Sequence, residues 1–195
     1  ACVHIIIRTS PGAVPAIGTE QIEAQIEQAA RTWIDDLRAA VLAHMGAEQG
    51  LALWERYAKG FPPDYTAHFQ PEAAARDIER MQALPGAGGV DVCFYRTIED
   101  QDCVVRFKLF HRGQPVPLSD CMPMLERIGF RVTGEHPYEI KIAGEPSVWL
   151  HDFEMREAKE QPVDLAETRL NLENLFGALW RQEAENNGYN RLGMG

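Results

Sequence analysis

Positive charge is scarce in this sequence. Nineteen Lys and Arg stand against 29 Asp and Glu, for a formal net charge of −10. No run of Lys or Arg appears, so the basic face that displaces counterions from a phosphate backbone is missing, and nucleic acid is excluded as a general partner. Long apolar runs are absent too. None reaches the ~18 residues of a membrane span, and no signal-peptide pattern precedes the first predicted strand. Cysteine is sparse: Cys2, Cys93, Cys103 and Cys121, with no CxxC spacing. A chain of 195 residues builds a core without covalent staples. The thiols are therefore read as reduced and the compartment as cytoplasmic. Cys93 and Cys103 are expected to face each other across a hairpin. The chain has no HExxH or HxH, no GxxxxGK[ST], no GxSxG and no repeat at a solenoid period. It begins without Met and stops at Gly-Met-Gly, which predicts a piece of something longer.

What is present is an ordinary globular mixture, 45% hydrophobic and 25% charged. The most informative stretch runs from Cys103 to Ile142. Val105, Phe107 and Leu109 alternate with Arg106 and Lys108, the period of a half-buried strand. Ser119 is placed to cap a helix whose stripe is Met124, Leu125 and Ile128, with Gly129 as its stop. Pro123 sits early in that helix. Phe130–Ile142 then reads as a strand, with Pro137 marking an edge or a bulge.

Upstream, Cys2–Thr9 is a β-branched run expected as a buried strand. Thr19 is placed to cap a long helix through Ile22, Ile26, Trp33, Leu37, Val41 and Met45, stopped by Gly46. A shorter helix is expected over Glu48–Lys59, with Leu51, Trp54 and Ala58 on its inner side. Gly60-Phe61-Pro62-Pro63 breaks it, and Phe61, Tyr65 and Phe69 are expected as packing anchors in the loop that follows. Pro71 opens a third helix with Ala74, Ile78 and Met81 inward. Gly86–Gly89 is the best internal boundary, followed by a strand at Val90, Val92 and Phe94. Downstream, Val148–Phe153 is a strand, and Asp164 with Glu167 starts a last helix carrying Leu172, Leu175, Phe176, Leu179 and Trp180.

These elements predict an α+β fold with a mostly antiparallel sheet. With the first strand and long helix included, the order opens as the split βαββαβ of ferredoxin-like folds. Helices are expected on one sheet face, with a further strand and a C-terminal helix appended. The organisation expected is residues 1–85 as a strand plus helical cluster, 86–160 as a β-rich portion and 161–195 as the closing helix, the whole compatible with one compact domain.

Catalytic chemistry finds little support. His111, His136 and His151 come from neighbouring strands near Glu135 and Asp152, a donor set suited to zinc or iron, but without ligand spacing. They are read as strand residues, and no metal site is expected. Gly86–Gly89 follows a helix and precedes a strand, the reverse of a dinucleotide-binding turn. Cys121 near a helix start has the helix dipole in its favour as a thiolate, yet reads equally as a packing residue. No acid/base pair is identifiable and no catalytic residue is assigned. The turn Ser10-Pro11-Gly12-Ala13-Val14 is the most suggestive loop, since exposed amides there suit a carboxylate.

Several spaced motifs, in order, resemble one family. They are Pro117-Leu118-Ser119-Asp120, Pro123-Met124-Leu125-Glu126, Gly129, Val132, Glu135 and Pro137-Tyr138-Glu139-Ile140. To these add Val3–Thr9, Arg31-Thr32-Trp33 with Asp36-Leu37, Phe61-Pro62 with Tyr65, Ala74 with Asp77-Ile78-Glu79, and Trp149 with His151-Asp152-Phe153. Ala184-Glu185-Asn186, Gly188 and Asn190-Arg191-Leu192 close the series. Together they resemble the large bacterial NAD-specific glutamate dehydrogenases, in the region of ACT-like modules ahead of the catalytic domain. His136, Gln182 and Asn187 depart from the pattern.

The resemblance implies an ACT-like regulatory or architectural segment of an oxidoreductase that turns L-glutamate and NAD into 2-oxoglutarate and ammonium. It implies that NAD and catalysis belong to a later portion. It implies, as partners, other domains and subunits of a homo-oligomer. An amino-acid effector would lie at Ser10, Gly12, Ala13 and Val14, where ACT domains often line an effector pocket. The alternatives are a purely structural module and a small metal-dependent enzyme built on the strand histidines.

Overall fold

The computed structural model describes residues 32–86 and 89–183. The expected strand Cys2–Thr9, the turn Ser10–Val14, the helix start at Thr19 and the closing stretch from Ala184 lie outside these residues. The described chain forms α1 (Trp33–Met45), α2 (Ala47–Tyr57), α3 (Pro63–His68), α4 (Pro71–Ala83), β1 (Val90–Tyr95), β2 (Val104–Arg112), α5 (Leu118–Ile128), β3 (Phe130–Ile142), β4 (Glu145–Glu157) and α6 (Leu165–Trp180).

Local signals account for most boundaries. Thr32 and Asp35 form a reciprocal capping box at the start of α1. Pro71 occupies the first turn of α4, where its missing N–H costs nothing, and Ala74, Ile78 and Met81 are fully buried. Gly129 ends α5 with φ +119°, a conformation β-carbons resist. Asp164 caps α6 by accepting from the amides of Ala166 and Glu167. The cap expected of Ser119 is not made. α5 starts at Leu118, with Pro117 at the cap position, and the Ser119 hydroxyl turns to Asp120. In α2 the buried residues are Gly50, Leu53 and Tyr57, while Leu51 is exposed. Phe61, Tyr65 and Phe69 do pack together, but Tyr65 lies in a short helix, not in a loop.

The four strands form one antiparallel sheet in the order β1-β2-β4-β3. β2 and β3 are thus parallel, joined through α5, with β4 between them: a split βαβ. The fold is α+β and ferredoxin-like, as expected. Its outer strand β1 comes from just before β2, so the chain order is ββαββα. The strand at 148–153, expected as an appendage, is central, because the turn at Ala143-Gly144 folds β4 back over the full length of β3. Pro137 lies on the edge strand β3, where no ladder hydrogen bond is forfeited.

Helices cover both faces of the sheet, not one. Val105, Phe107, Leu109, Phe153 and Met155 face α5 and α6. Phe110, Tyr138, Ile140, Val148 and Leu150 face α1–α4. β2 is therefore buried on both sides, which is why its residues run almost unbroken through the interior. Both sheet edges are occupied. The amides of Lys141 on β3 and of Ala143 just after it donate to the carbonyls of Gly60 (3.0 Å), just beyond α2, and of Arg56 (3.1 Å), in its last turn. At β1, the Phe94 amide donates to Glu173 (3.3 Å) and the Val92 carbonyl accepts from Arg80 (2.7 Å). Such side-chain and loop cover blocks edge-to-edge pairing there.

Cys93 lies opposite Lys108, and Cys103 stands outside the β1–β2 ladder, which ends at Tyr95–Arg106. The expected apposition of these two cysteines does not occur, because the hairpin loop is long. Cys93, Cys103 and Cys121 are all free thiols. No helix among the described residues is long and apolar enough to cross a membrane.

Candidate functional site

The polar interior lies between α3–α4 and the sheet. α4 carries Asp77 on its buried face, one turn from Ala74 and Met81. β2 presents Lys108 towards it, between Phe107 and Leu109, which face the opposite layer. The Lys108 ammonium reaches Asp77 Oδ2 at 2.5 Å, and the Tyr65 hydroxyl donates to the same oxygen at 2.6 Å. The side chains of Lys108 and Asp77 are 5% and 7% exposed. The ammonium also sits 3.8 Å from the Phe69 ring centroid, with Tyr65 and Tyr95 further out at 5.8 and 5.5 Å. The carboxylate and the ring faces together surround the ammonium in a dry interior.

Next along the same face, β4 contributes Asp152, which is only 7% exposed. The Tyr95 hydroxyl donates to its Oδ1 at 2.8 Å. Burial pushes the Asp152 carboxyl up, against the lowering effect of that hydrogen bond and of Lys108 and Arg106. Burial likewise raises the Tyr95 phenol, and the Asp152 charge adds to the shift.

Asp152 and Tyr95 floor a cleft of about 740 Å³ that opens between α3–α4 and the β1–β2 loop. Phe69, Tyr138, His68 and His136 line it together with Arg76, Arg96 and Arg106. Arg106 is fully engaged, its Nε and Nη2 gripping both Asp100 oxygens at 2.8 and 2.9 Å. Arg96 is spent on the carbonyls of Val104 and Val163 at 2.9 Å each, and on that of Asp102.

Asp100 holds the β1–β2 loop to the sheet. Besides Arg106, the Thr97 amide and hydroxyl donate to it, each at 2.9 Å. The Arg106 hydrogen bonds, helped by those from Thr97, hold its carboxyl down to about 2. Its folded pKa lies below its unfolded one, so its stabilising contribution is complete above the ordinary aspartate range and fades as pH falls towards 2. Asp152 and Glu173, raised by burial, act in the opposite sense, contributing below the ordinary range and losing that contribution as pH rises. Comparing wild type with Asp100→Asn cancels the latter pair. Urea unfolding should show the wild type more stable at pH 7, with the gap narrowing as pH falls below about 4 and closing towards pH 2. A gap that does not change with pH would show that Asp100 is not held this way.

The three strand histidines are not brought together. The His151 ring is buried on the opposite face, where Nε2 accepts from the Val116 amide (3.1 Å) and Nδ1 therefore donates to Glu135 (2.7 Å). His111 bonds the Gln114 carbonyl at 2.8 Å. His136 is exposed on the cleft face beside His68, with ring centroids 5.7 Å apart. Among the described residues, no three His, Cys, Asp or Glu side chains converge on a metal-sized position. The Cys121 thiol is pushed up to about 11 by burial, outweighing the amides at its helix start. It is a packing residue and a poor nucleophile at neutral pH. The turn at Ser10, Gly12, Ala13 and Val14 lies outside the described residues.

Sequence reasoning missed Asp77, Lys108, Tyr95 and Arg76. Arg106 and Lys108 read as a solvent face because a second helical layer was not foreseen. One signal was available: Asp77 interrupts the otherwise apolar face of α4, and a carboxylate there requires a buried donor or cation.

Comparison with known proteins matches residues 89–168 to the family model "Glutamate dehydrogenase, ACT3 domain" and residues 40–84 to "Glutamate dehydrogenase, helical motif 2". The NAD-specific glutamate dehydrogenase of Halomonas elongata is 34% identical over 195 residues, all of this chain and 12% of the relative. That of Pseudomonas aeruginosa is 31% identical over 192 residues, 98% of this chain and 12% of the relative. That of Mycobacterium tuberculosis is 27% identical over 179 residues, 89% of this chain and 11% of the relative. The chain thus spans about an eighth of the length of the relatives it matches.

Proposed function

This chain belongs to the glutamate dehydrogenase family, with the ACT3 domain at residues 89–168 and helical motif 2 at 40–84, and from that premise we propose that it is a non-catalytic regulatory and architectural segment of a longer NAD-dependent enzyme. That enzyme oxidises L-glutamate to 2-oxoglutarate and ammonium in the cytoplasm as a homo-oligomer. NAD and the chemistry belong to other parts of it, and this segment contacts neighbouring domains and subunits. Its portions 1–85, 86–160 and 161–195 act together, and an amino-acid effector biases the arrangement they adopt. The resemblance of the turn at Ser10, Gly12, Ala13 and Val14 to ACT turns makes that turn one place for such an effector.

The observation that carries this reading is the docking of the helical motif on the ACT3 sheet. It is sealed by the buried Asp77–Lys108 pair and by main-chain bonds from β3 to Arg56 and Gly60. A helical layer fixed to a sheet through buried charge is suited to transmitting a change of position.

The test uses the isolated chain and the longer enzyme. The chain alone should neither reduce NAD with L-glutamate nor gain thermal stability from NAD at concentrations up to ~100 times a typical dissociation constant, where a true ligand adds about 2.7 kcal/mol. Reduction of NAD by the isolated chain would sink the proposal. In the longer enzyme, loss of the docking should alter subunit assembly or the response to amino acids. Effects on assembly alone would make the segment purely structural.

A further inference from the structure

Three cavities of about 740, 390 and 360 Å³ meet at Tyr95 and Arg96, where β1 runs out into its hairpin loop. The third draws lining from α4, through Arg76 and Arg80, and from α6, through Arg169. Arg80 is matched there by Asp91 at 3.0 Å and Glu173 at 3.6 Å, and Lys108 by Asp77 at 2.5 Å. Arg76 and Arg169 are exposed, and neither has a hydrogen bond or ion pair among the described residues, although Glu173 acts on Arg169 through space. Arg96 spends its donors on carbonyls, which satisfy a guanidinium without neutralising it. On a chain of net charge −10, positive charge is thus left uncompensated at one place. The rim adds apolar side chains that the fold leaves in water. Ile98, which lines the first cavity, is 100% exposed, yet its loop is fastened down by Thr97 and Arg106 through Asp100. Leu170 is 65% exposed, one turn beyond Ala166, which lines the second cavity. Single exposed apolar residues are ordinary on a protein surface. Two of them beside unmatched arginines, one on a loop held in place, have the make-up of an interface centre.

We propose that this groove, at the C-terminal end of β1, is a docking surface for an acidic segment from another part of the same longer polypeptide, with an apolar side chain beside its carboxylates. The sign of the charge selects the partner, since a guanidinium grips a carboxylate through two parallel bonds and a locally positive surface steers an acidic one into place. Ile98 and Leu170 would be covered by the apolar part of that segment. A second copy of this chain would bring its own charge of −10, and like charge opposes its approach. The chain spans only 12% of two of its relatives, so most of the polypeptide that meets this surface is covalently tethered to it. Tethering raises the effective concentration of a partner, so a few contacts suffice to fill the groove. A loop already held by Asp100 loses little freedom on docking. Because α4 lies in helical motif 2 and the loop in the ACT3 domain, one occupant would touch both. The assignment rests on the reading above of this chain as an architectural part of a longer enzyme.

The experiment places a photo-crosslinking phenylalanine analogue at position 98 of the longer enzyme and maps the product by mass spectrometry. Ile98 and Arg169 are both exposed, so changes there leave the fold in place. The link should join position 98 to an acidic stretch of the same polypeptide outside residues 32–183. Arg169→Glu should lower its yield on the order of tenfold, since an attraction becomes a repulsion. Arg127→Glu, at an exposed arginine of α5 that lines none of the three cavities, should leave the yield unchanged. Mixing with isotope-labelled enzyme separates links within one chain from links between chains, and the latter overturn the proposal. So does a link whose yield Arg169→Glu does not lower. Loss of the link to inorganic phosphate, but not to sodium chloride of the same ionic strength, would make the groove a site for small anions and overturn it too. If position 98 gives no link while assembly and the response of NAD-dependent activity to amino acids are intact, the docking surface falls and the regulatory reading stands. Reduction of NAD by the isolated chain would instead sink that reading.

Discussion

Lys108→Met should lower the stability of this unit by about 3–5 kcal/mol, because it removes one member of a buried ion pair and leaves the other charged and underpaired. Asp77 would keep only the Tyr65 hydroxyl, 2.6 Å from its Oδ2. Methionine is close in length to the lysine stem, so the loss would come from electrostatics and not from a cavity. For a domain of this size the unfolding midpoint should fall by roughly 10 °C or more. Trp33 and Trp54 stand in the helical layer and pack on its core, so their fluorescence reports separation of that layer from the sheet. The double variant Asp77→Leu, Lys108→Met should recover much of the loss, since a hydrophobic pair often replaces a buried ion pair at little cost. A single variant within ~0.5 kcal/mol of wild type would show that the pair is not dry. Failure of the double variant to recover would show that the charges also fix how helix and sheet are aligned.

How far the sequence alone foresaw this molecule can be judged from particular elements. α4 was legible to within a residue, because Pro71 marks its start and Ala74, Ile78 and Met81 repeat at helical spacing. β3 was legible at both ends, because Gly129 stops the helix before it and Ala143-Gly144 turns the chain after it. The layering was not legible. Arg106 and Lys108 read as an outer face, since polar residues at alternate strand positions normally meet water. Here they meet a helical layer supplied from residues 33–84, and no local pattern announces that packing. The position of β4 failed for a related reason: strand order is a non-local property, and a strand late in the chain is easily taken for an addition. The cleft combines both failures. Arg76 and Asp152 are 76 positions apart in numbering and line one cleft only through the docking of the helical layer on the sheet. The histidines erred in the other direction. Their closeness along neighbouring strands was real, but the alternation of strand faces sends His136 to one side and His151 to the other.

Gly60→Ala tests the same docking through the main chain, and the expected effect is large. Gly60 lies where the chain leaves α2 and passes against β3. A β-carbon built there would stand 1.8 Å from the Lys141 carbonyl oxygen and 2.9 Å from its carbon. Both are backbone atoms of a paired strand, so no side-chain rotation relieves the contact. The need for glycine is thus one of space and not of dihedral angle, in contrast to Gly144, whose φ of +76° sets its own demand while its surroundings are open. Relief requires the loop to withdraw from β3. That breaks the bond from the Lys141 amide to the Gly60 carbonyl and strains its neighbour from Ala143 to Arg56. Overpacking and an edge amide left unpaired should together cost about 2–4 kcal/mol. Gly86→Ala is the control, since nothing lies within 4 Å of the added carbon and its φ is not positive; it should stay within about 0.5 kcal/mol of wild type. Hydrogen exchange locates the effect: the Lys141 and Ala143 amides should lose protection well before those of β2, which is paired on both sides. Since the withdrawn loop carries the helical layer with it, the cleft between α4 and Asp152 should widen. Stability matching the Gly86→Ala control, with both amides still protected, would show that β3 yields to the methyl group and that the helical layer is held by its buried side chains alone.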